Sequence, residues 1–168
     1  MTAPFARLAW VGLCLTAFSS GCERAPELAG ELHLPDGERF TREVYPVLLR
    51  DCAFPSCHGA PERFLRVLGP GRTRLYDDVA PRDAALLEEV VLSYERARSL
   101  LGSAQAPEDS LLLKKPLDLA AGGQAHAGAD AFGRNVYRAK SDPGYEVLRA
   151  WAHSNGTLPD ADALEDSE

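Results

Sequence analysis

Methionine is all but missing from this chain: the one example among 168 residues is Met1. Cysteine is scarce as well, with four residues, too few for a disulfide-dense scaffold. Lys and Arg number 18 against 25 Asp and Glu, a balance that disfavours nucleic acid and anionic lipid as partners. The apolar run Leu8 to Phe18 falls short of the roughly 20 residues that a membrane-spanning helix needs. Ser, His and acidic residues are present but no GxSxG-type nucleophile motif is, so no hydrolase or transferase constellation emerges.

What is there begins with an export signature. Arg7 precedes the apolar run, and Ser19-Ser20-Gly21 follow it immediately before Cys22, the layout of a secretory signal peptide. Small residues ending at a cysteine resemble a bacterial lipoprotein signal, which implies cleavage before Cys22 and a lipid on its thiol. The alternative is an ordinary signal peptide cut nearby, with Cys22 left as a free thiol. Residues 1–21 therefore read as signal, and residues 22–168 carry 17 cationic and 25 acidic side chains, a net charge of −8. Segment 22–37 has Pro, Gly and acids without a sustained apolar period, as a tether would. His33 falls in it and reads as a solvated loop residue.

Once Cys14 has left with the signal and Cys22 is consumed by lipid, Cys52 and Cys57 remain. They stand in Asp51-Cys52-Ala53-Phe54-Pro55-Ser56-Cys57-His58-Gly59. Two nearby thiols and an imidazole directly after the second are what covalent haem attachment uses: the thiols add across vinyl groups and the imidazole reaches the iron. The usual spacing is CxxCH, whereas this chain has CxxxxCH. Five helical steps turn the second thiol roughly 140° from the first, and Pro55 pushes Phe54 toward an extended backbone. The motif therefore predicts a raised loop over 53–56, with Gly59 allowing close approach to a flat ligand. Two other readings stand beside haem: a Cys52–Cys57 disulfide with His58 merely solvated, and a zinc site with one further ligand, which adjacent Cys and His side chains fit poorly.

Around this motif the pattern is helical. Apolar residues at 40, 44, 47 and 48 predict a helix capped by Thr41, with Pro46 causing a kink or a later start. Phe64 to Leu68 reads as a short strand or an irregular cover over an apolar ligand, and Arg72 and Arg74 either as partners of haem propionates or, the favoured reading, as surface partners of Asp77 and Asp78. Pro81 opens the longest helical pattern, which Gly102 stops. A short apolar piece follows at 110–116. The small-residue loop 120–130 holds His126, either an iron ligand or a histidine that fixes its own loop. A last helix from Asp142 or Pro143 to Gly156 buries Tyr145, Leu148, Trp151 and Ala152, with His153 on the surface. Residues 158–168 read as a disordered acidic tail.

The runs PVLLRDCAFPSCHG, SLLLKKPL, GGQAHAGAD and YEVLRAWAHSNG, in that order over residues 40–156, resemble a group of exported bacterial cytochrome c-like haem-binding domains. The resemblance implies a mainly α, class I cytochrome c-like domain over 38–157, with long loops around a haem. It implies that Cys52 and Cys57 hold haem c through thioethers and that His58 is the proximal iron ligand. Class I domains take a distal methionine from the loop before the last helix; here His126 occupies that loop, giving two imidazoles on the iron. The function so implied is one-electron transfer in the cell envelope, favoured over catalysis, to a redox partner that the acidic charge suggests is basic. The rival is a haem-free lipoprotein interaction module braced by a Cys52–Cys57 disulfide.

Overall fold

The computed structural model describes residues 33–102, 106–128 and 134–165. The signal segment and most of the expected tether lie outside the described residues. Among the described residues the chain is helical, and its one β pairing is a parallel bridge between Leu117 and Tyr137.

The first helical rod runs without a break through α1 (Gly37–Arg39), a π turn (Phe40–Val44) and α2 (Tyr45–Asp51). Asp36 caps it by accepting from the Arg39 N–H at 3.0 Å, so Thr41 is not the cap. Its hydroxyl instead donates to Gly37 O inside the rod. Pro46 has no N–H to give and its ring would strike the carbonyl four residues back in a regular helix. The widened turn just ahead of it, with the Tyr45 N–H reaching back to Phe40 O, absorbs that conflict.

Helix α3 (Leu87–Ser99) opens later than Pro81. The Pro81 carbonyl is taken by the Gly71 N–H at 2.7 Å, and Glu89 reaches back to the Leu86 N–H at 3.2 Å, which fixes the start. Arg74 is not a surface partner of Asp77 and Asp78: it forms a buried pair with Glu89 at 2.9 Å. Arg72 donates to Leu49 O and lays its guanidinium over the Phe54 ring. Segment 64–68 is irregular and not a strand, with Leu65, Val67 and Leu68 buried. Helix α4 (Leu111–Lys114) is capped by Ser110, whose hydroxyl accepts from the Leu113 N–H.

Helix α5 (Pro143–Ala152) buries Tyr145, Leu148, Trp151 and Ala152, the face expected from their spacing. It ends before Gly156. That glycine lies where the chain crosses the start of α1, and a Cβ there would sit 2.7 Å from Asp36 Cα. Phe40, Tyr94 and Trp151 form an aromatic triangle with centroids 5.1 to 5.7 Å apart, joining the first rod, α3 and α5. Their polar tips are satisfied too: Tyr94 Oη donates to Pro35 O and Trp151 Nε1 to Asp36 O.

Both ends of the domain extend further than expected. His33 is buried, its Nε2 2.8 Å from Ala152 O, so the last part of the tether belongs to the core and His33 is not a solvated residue. Past α5 the Gly37 N–H donates to Thr157 O. A short α6 (Asp162–Glu165) then places Leu164 against the core. Within the segment read as an acidic tail, Pro159 is buried and Leu164 meets the core while residues 160–162 stay exposed.

Candidate functional site

Helix α2 delivers Cys52 to the site. The N–H groups of Cys52 and Ala53 both return to Leu48 O, which ends the helix and lifts the chain away. The Cys57 N–H then bonds Phe54 O at 2.8 Å, and the His58 N–H bonds Cys52 O at 3.0 Å. The two extra residues of CxxxxCH are taken up in this raised loop, as Pro55 suggested. Gly59 has a reason within the loop itself. A Cβ on it would stand 2.7 Å from Ala53 O and 3.0 Å from Phe54 O, so the glycine is needed by the loop's own backbone.

His58 and His126 come together from segments far apart in the chain. Their ring centroids are 5.9 Å apart and their planes 15° from parallel. Two metal–nitrogen bonds of about 2 Å, with about 1 Å from each nitrogen to its ring centre, give about 6 Å for imidazoles on opposite sides of one ion.

The tautomer of each ring is set by what it meets. His58 Nδ1 lies 2.9 Å from the Leu65 carbonyl, which can only accept, so Nδ1 carries the proton and Nε2 keeps its lone pair. His126 Nδ1 lies 3.0 Å from Asn135 Oδ1. The Asn135 amide nitrogen donates to the carbonyls of Lys115 and Leu117, and its oxygen also accepts from the Val136 N–H. That orientation makes Oδ1 an acceptor toward His126, whose Nε2 is then free as well. Burial pushes the pKa of His58 down; the Leu65 carbonyl opposes this and the nearby His126 adds to it. The net effect favours the neutral imidazole, the form that binds metal.

Both rings and both thiols line one cavity of about 810 Å³, between the end of α2, the motif loop, α4, the His126 loop and Leu148 of α5, within the range of ligand and cofactor sites. Its wall is mostly apolar. Phe54, Phe64 and Leu111 line it while remaining 44 to 59% exposed, so a ligand there would cover apolar surface that the fold leaves bare. Arg63, Lys115 and Asp51 are its charged members. A shallower pocket of about 520 Å³ adjoins it and shares Asp51, Phe54 and Val136, but it holds neither histidine nor cysteine.

Cys52 and Cys57 are free thiols, the first buried and the second partly exposed. Burial, with Asp51 adding, pushes the Cys52 thiol up to about 12. It therefore stays protonated, unlike a metal thiolate or a thiol poised for disulfide exchange. Among the described residues no group of three or more His, Cys, Asp or Glu could hold a bare metal ion, which leaves the zinc reading without a ligand set. The residues do fit a haem: two imidazoles with free Nε2 atoms, two thiols beside one of them, an apolar wall of sufficient size, and two cations for carboxylates.

Sequence reasoning singled out two cysteines and two histidines, and the structure brings all four to one cavity. Sequence reasoning missed Leu65 as the anchor of His58, Asn135 as the anchor of His126, and the cations Arg63 and Lys115. A backbone carbonyl leaves no trace in residue identity, and Asn135 stands outside every recognisable motif. His153, expected at the surface, is exposed beside Glu108. Comparison with protein-family models, curated proteins and solved structures finds no match.

Proposed function

We propose that this protein is an exported, cytochrome c-like electron carrier that holds one haem c through Cys52 and Cys57, with His58 and His126 as axial ligands. The single observation that carries the reading is the His58–His126 pair: rings 5.9 Å apart, each with Nδ1 engaged and Nε2 free, facing a cavity that also contains both thiols. Each thiol would add across one vinyl group, sulfur to one carbon and hydrogen to the other, with nothing lost. Bound there, haem would supply an iron that cycles between ferric and ferrous states by one electron.

The chain's own residues account for the rest. His58 and His126 would both hold the iron, which would leave no open position for oxygen or peroxide and would favour electron transfer over catalysis. A second imidazole in place of methionine lowers the potential. Arg63 and Lys115, which line the cavity, would be the cations available to the carboxylates of a porphyrin. We read residues 1–21 as an export signal and Cys22 as lipid-bearing, which would hold the domain at the cell envelope, and the net charge of −8 over residues 22–168 suits a basic redox partner. The rival module braced by a Cys52–Cys57 disulfide is less well supported, because both sulfurs are unpaired and Cys52 is buried.

The test is expression with haem-attachment machinery, followed by haem staining of a denaturing gel and a visible spectrum. Covalent haem and a low-spin spectrum are expected, and His126→Ala should turn the spectrum high-spin. Colourless protein with its two thiols oxidised to each other would support the rival. An unchanged low-spin spectrum in His126→Ala would remove His126 from the iron.

A further inference from the structure

The geometry points to Asn135 as the positioning residue for His126: its side-chain amide selects the His126 tautomer and fixes the ring against the end of α4. Its consequence for the iron rests on the haem reading above. The two histidines are held differently. His58 is anchored by a main-chain carbonyl, which no substitution at Leu65 removes, whereas His126 is anchored by a single side chain.

That side chain is fully engaged. Asn135 Nδ2 donates to the carbonyls of Lys115 and Leu117, while Oδ1 accepts from the Val136 N–H at 2.9 Å and faces His126 Nδ1 at 3.0 Å. Flipping the amide would set an oxygen against two carbonyls and an NH₂ against an N–H, so one orientation is far better than the other. The loop itself is tied nearby by the Gln124 N–H on Lys114 O and by Lys115 Nζ on Ala125 O. Those bonds place the loop backbone; Asn135 sets the ring. A partner of this kind on the non-ligating nitrogen holds the orientation of a metal-binding histidine and raises its basicity.

The experiment compares Asn135→Asp with Asn135→Leu. Both lose the donors to Lys115 O and Leu117 O, but only Asp keeps an acceptor for His126. In the haem-free full chain, nitrogen-detected NMR of the imidazole should show His126 as the Nδ1–H tautomer in the wild type and in Asn135→Asp. In Asn135→Leu it should revert toward the Nε2–H form. In the haem-loaded chain, Asn135→Asp should stay low-spin with a more negative midpoint potential, and Asn135→Leu should gain a high-spin fraction.

A wild-type His126 in the Nε2–H form, or variants that behave alike in both measurements, would overturn the proposal, since a merely structural Asn135 would affect both equally. If no haem is retained yet the tautomer follows Asn135 as described, the haem reading falls and the positioning role stands. Covalent low-spin haem with an Asn135→Leu spectrum like the wild type has the opposite meaning.

Discussion

Arg74 and Glu89 form a buried ion pair 2.9 Å apart, their side chains only 6% and 0% exposed, between the segment after the motif and the first turn of α3. Burial alone would raise the pKa of Glu89. Hydrogen bonds from Arg74 and from the N–H groups of Leu75 and Leu86 outweigh it and hold the carboxylate below its ordinary value. A carboxylate depressed in the folded state contributes stability above its unfolded pKa of about 4.3, and that contribution is lost as pH falls through the folded value. Urea midpoints measured from pH 7 down to pH 3 should therefore fall in the wild type. Glu89→Gln leaves Arg74 buried and uncompensated, at a cost of about 3–5 kcal/mol at pH 7, and should show a flatter acid limb. Parallel limbs in the two proteins would assign the acid sensitivity elsewhere.

Gly59→Ala should strike the site through the backbone. Its Cβ would press on Ala53 O and Phe54 O, the atoms around which the motif loop closes. A loss of about 1–3 kcal/mol is expected, as for overpacking, together with less covalent haem per chain on a stained gel. Wild-type stability with wild-type haem content would mean that the loop can open without consequence.

The two thiols should differ in reactivity. Cys52 is buried and kept protonated, whereas Cys57 is partly exposed. In the haem-free folded chain an alkylating reagent should modify Cys57 at least about tenfold faster than Cys52, the gap closing in denaturant. Equal rates in the native protein, read by peptide mass spectrometry, would contradict the burial of Cys52.

His33→Ala should destabilise the domain although the residue lies far from the cavity in sequence. It removes a buried side chain and leaves Ala152 O without that partner, for a loss of about 1–3 kcal/mol. Deleting 157–168 should also lower the melting temperature, because Leu164 loses its packing and the Gly37 N–H loses Thr157 O. A deletion that melts like the full chain would show that this end adds nothing to the fold.

The pattern at 143–152 specified its own helix and buried face, because a strong 3.6-residue period leaves one way to hide Tyr145, Leu148 and Trp151. The cysteines and histidines were legible for a similar reason: their chemistry is carried by residue type. The start of α3 was not, because it depends on Glu89 and on the partner that Pro81 finds at Gly71. Thr41 was misassigned because a β-hydroxyl can bond back to a carbonyl within a helix as well as cap one.

By itself, then, the sequence determined that the domain would be mainly helical and which face its last helix would bury, and it offered two cysteines and two histidines as candidate site residues. Only the tertiary structure decided that His58 and His126 face one cavity, which nitrogen each leaves free, and that His33 and Leu164 belong to the core. The reason is physical. Periodicity and residue chemistry act over a few neighbouring positions, whereas the anchors at Leu65 O and Asn135 arise from contacts between segments that meet only once the helices have packed.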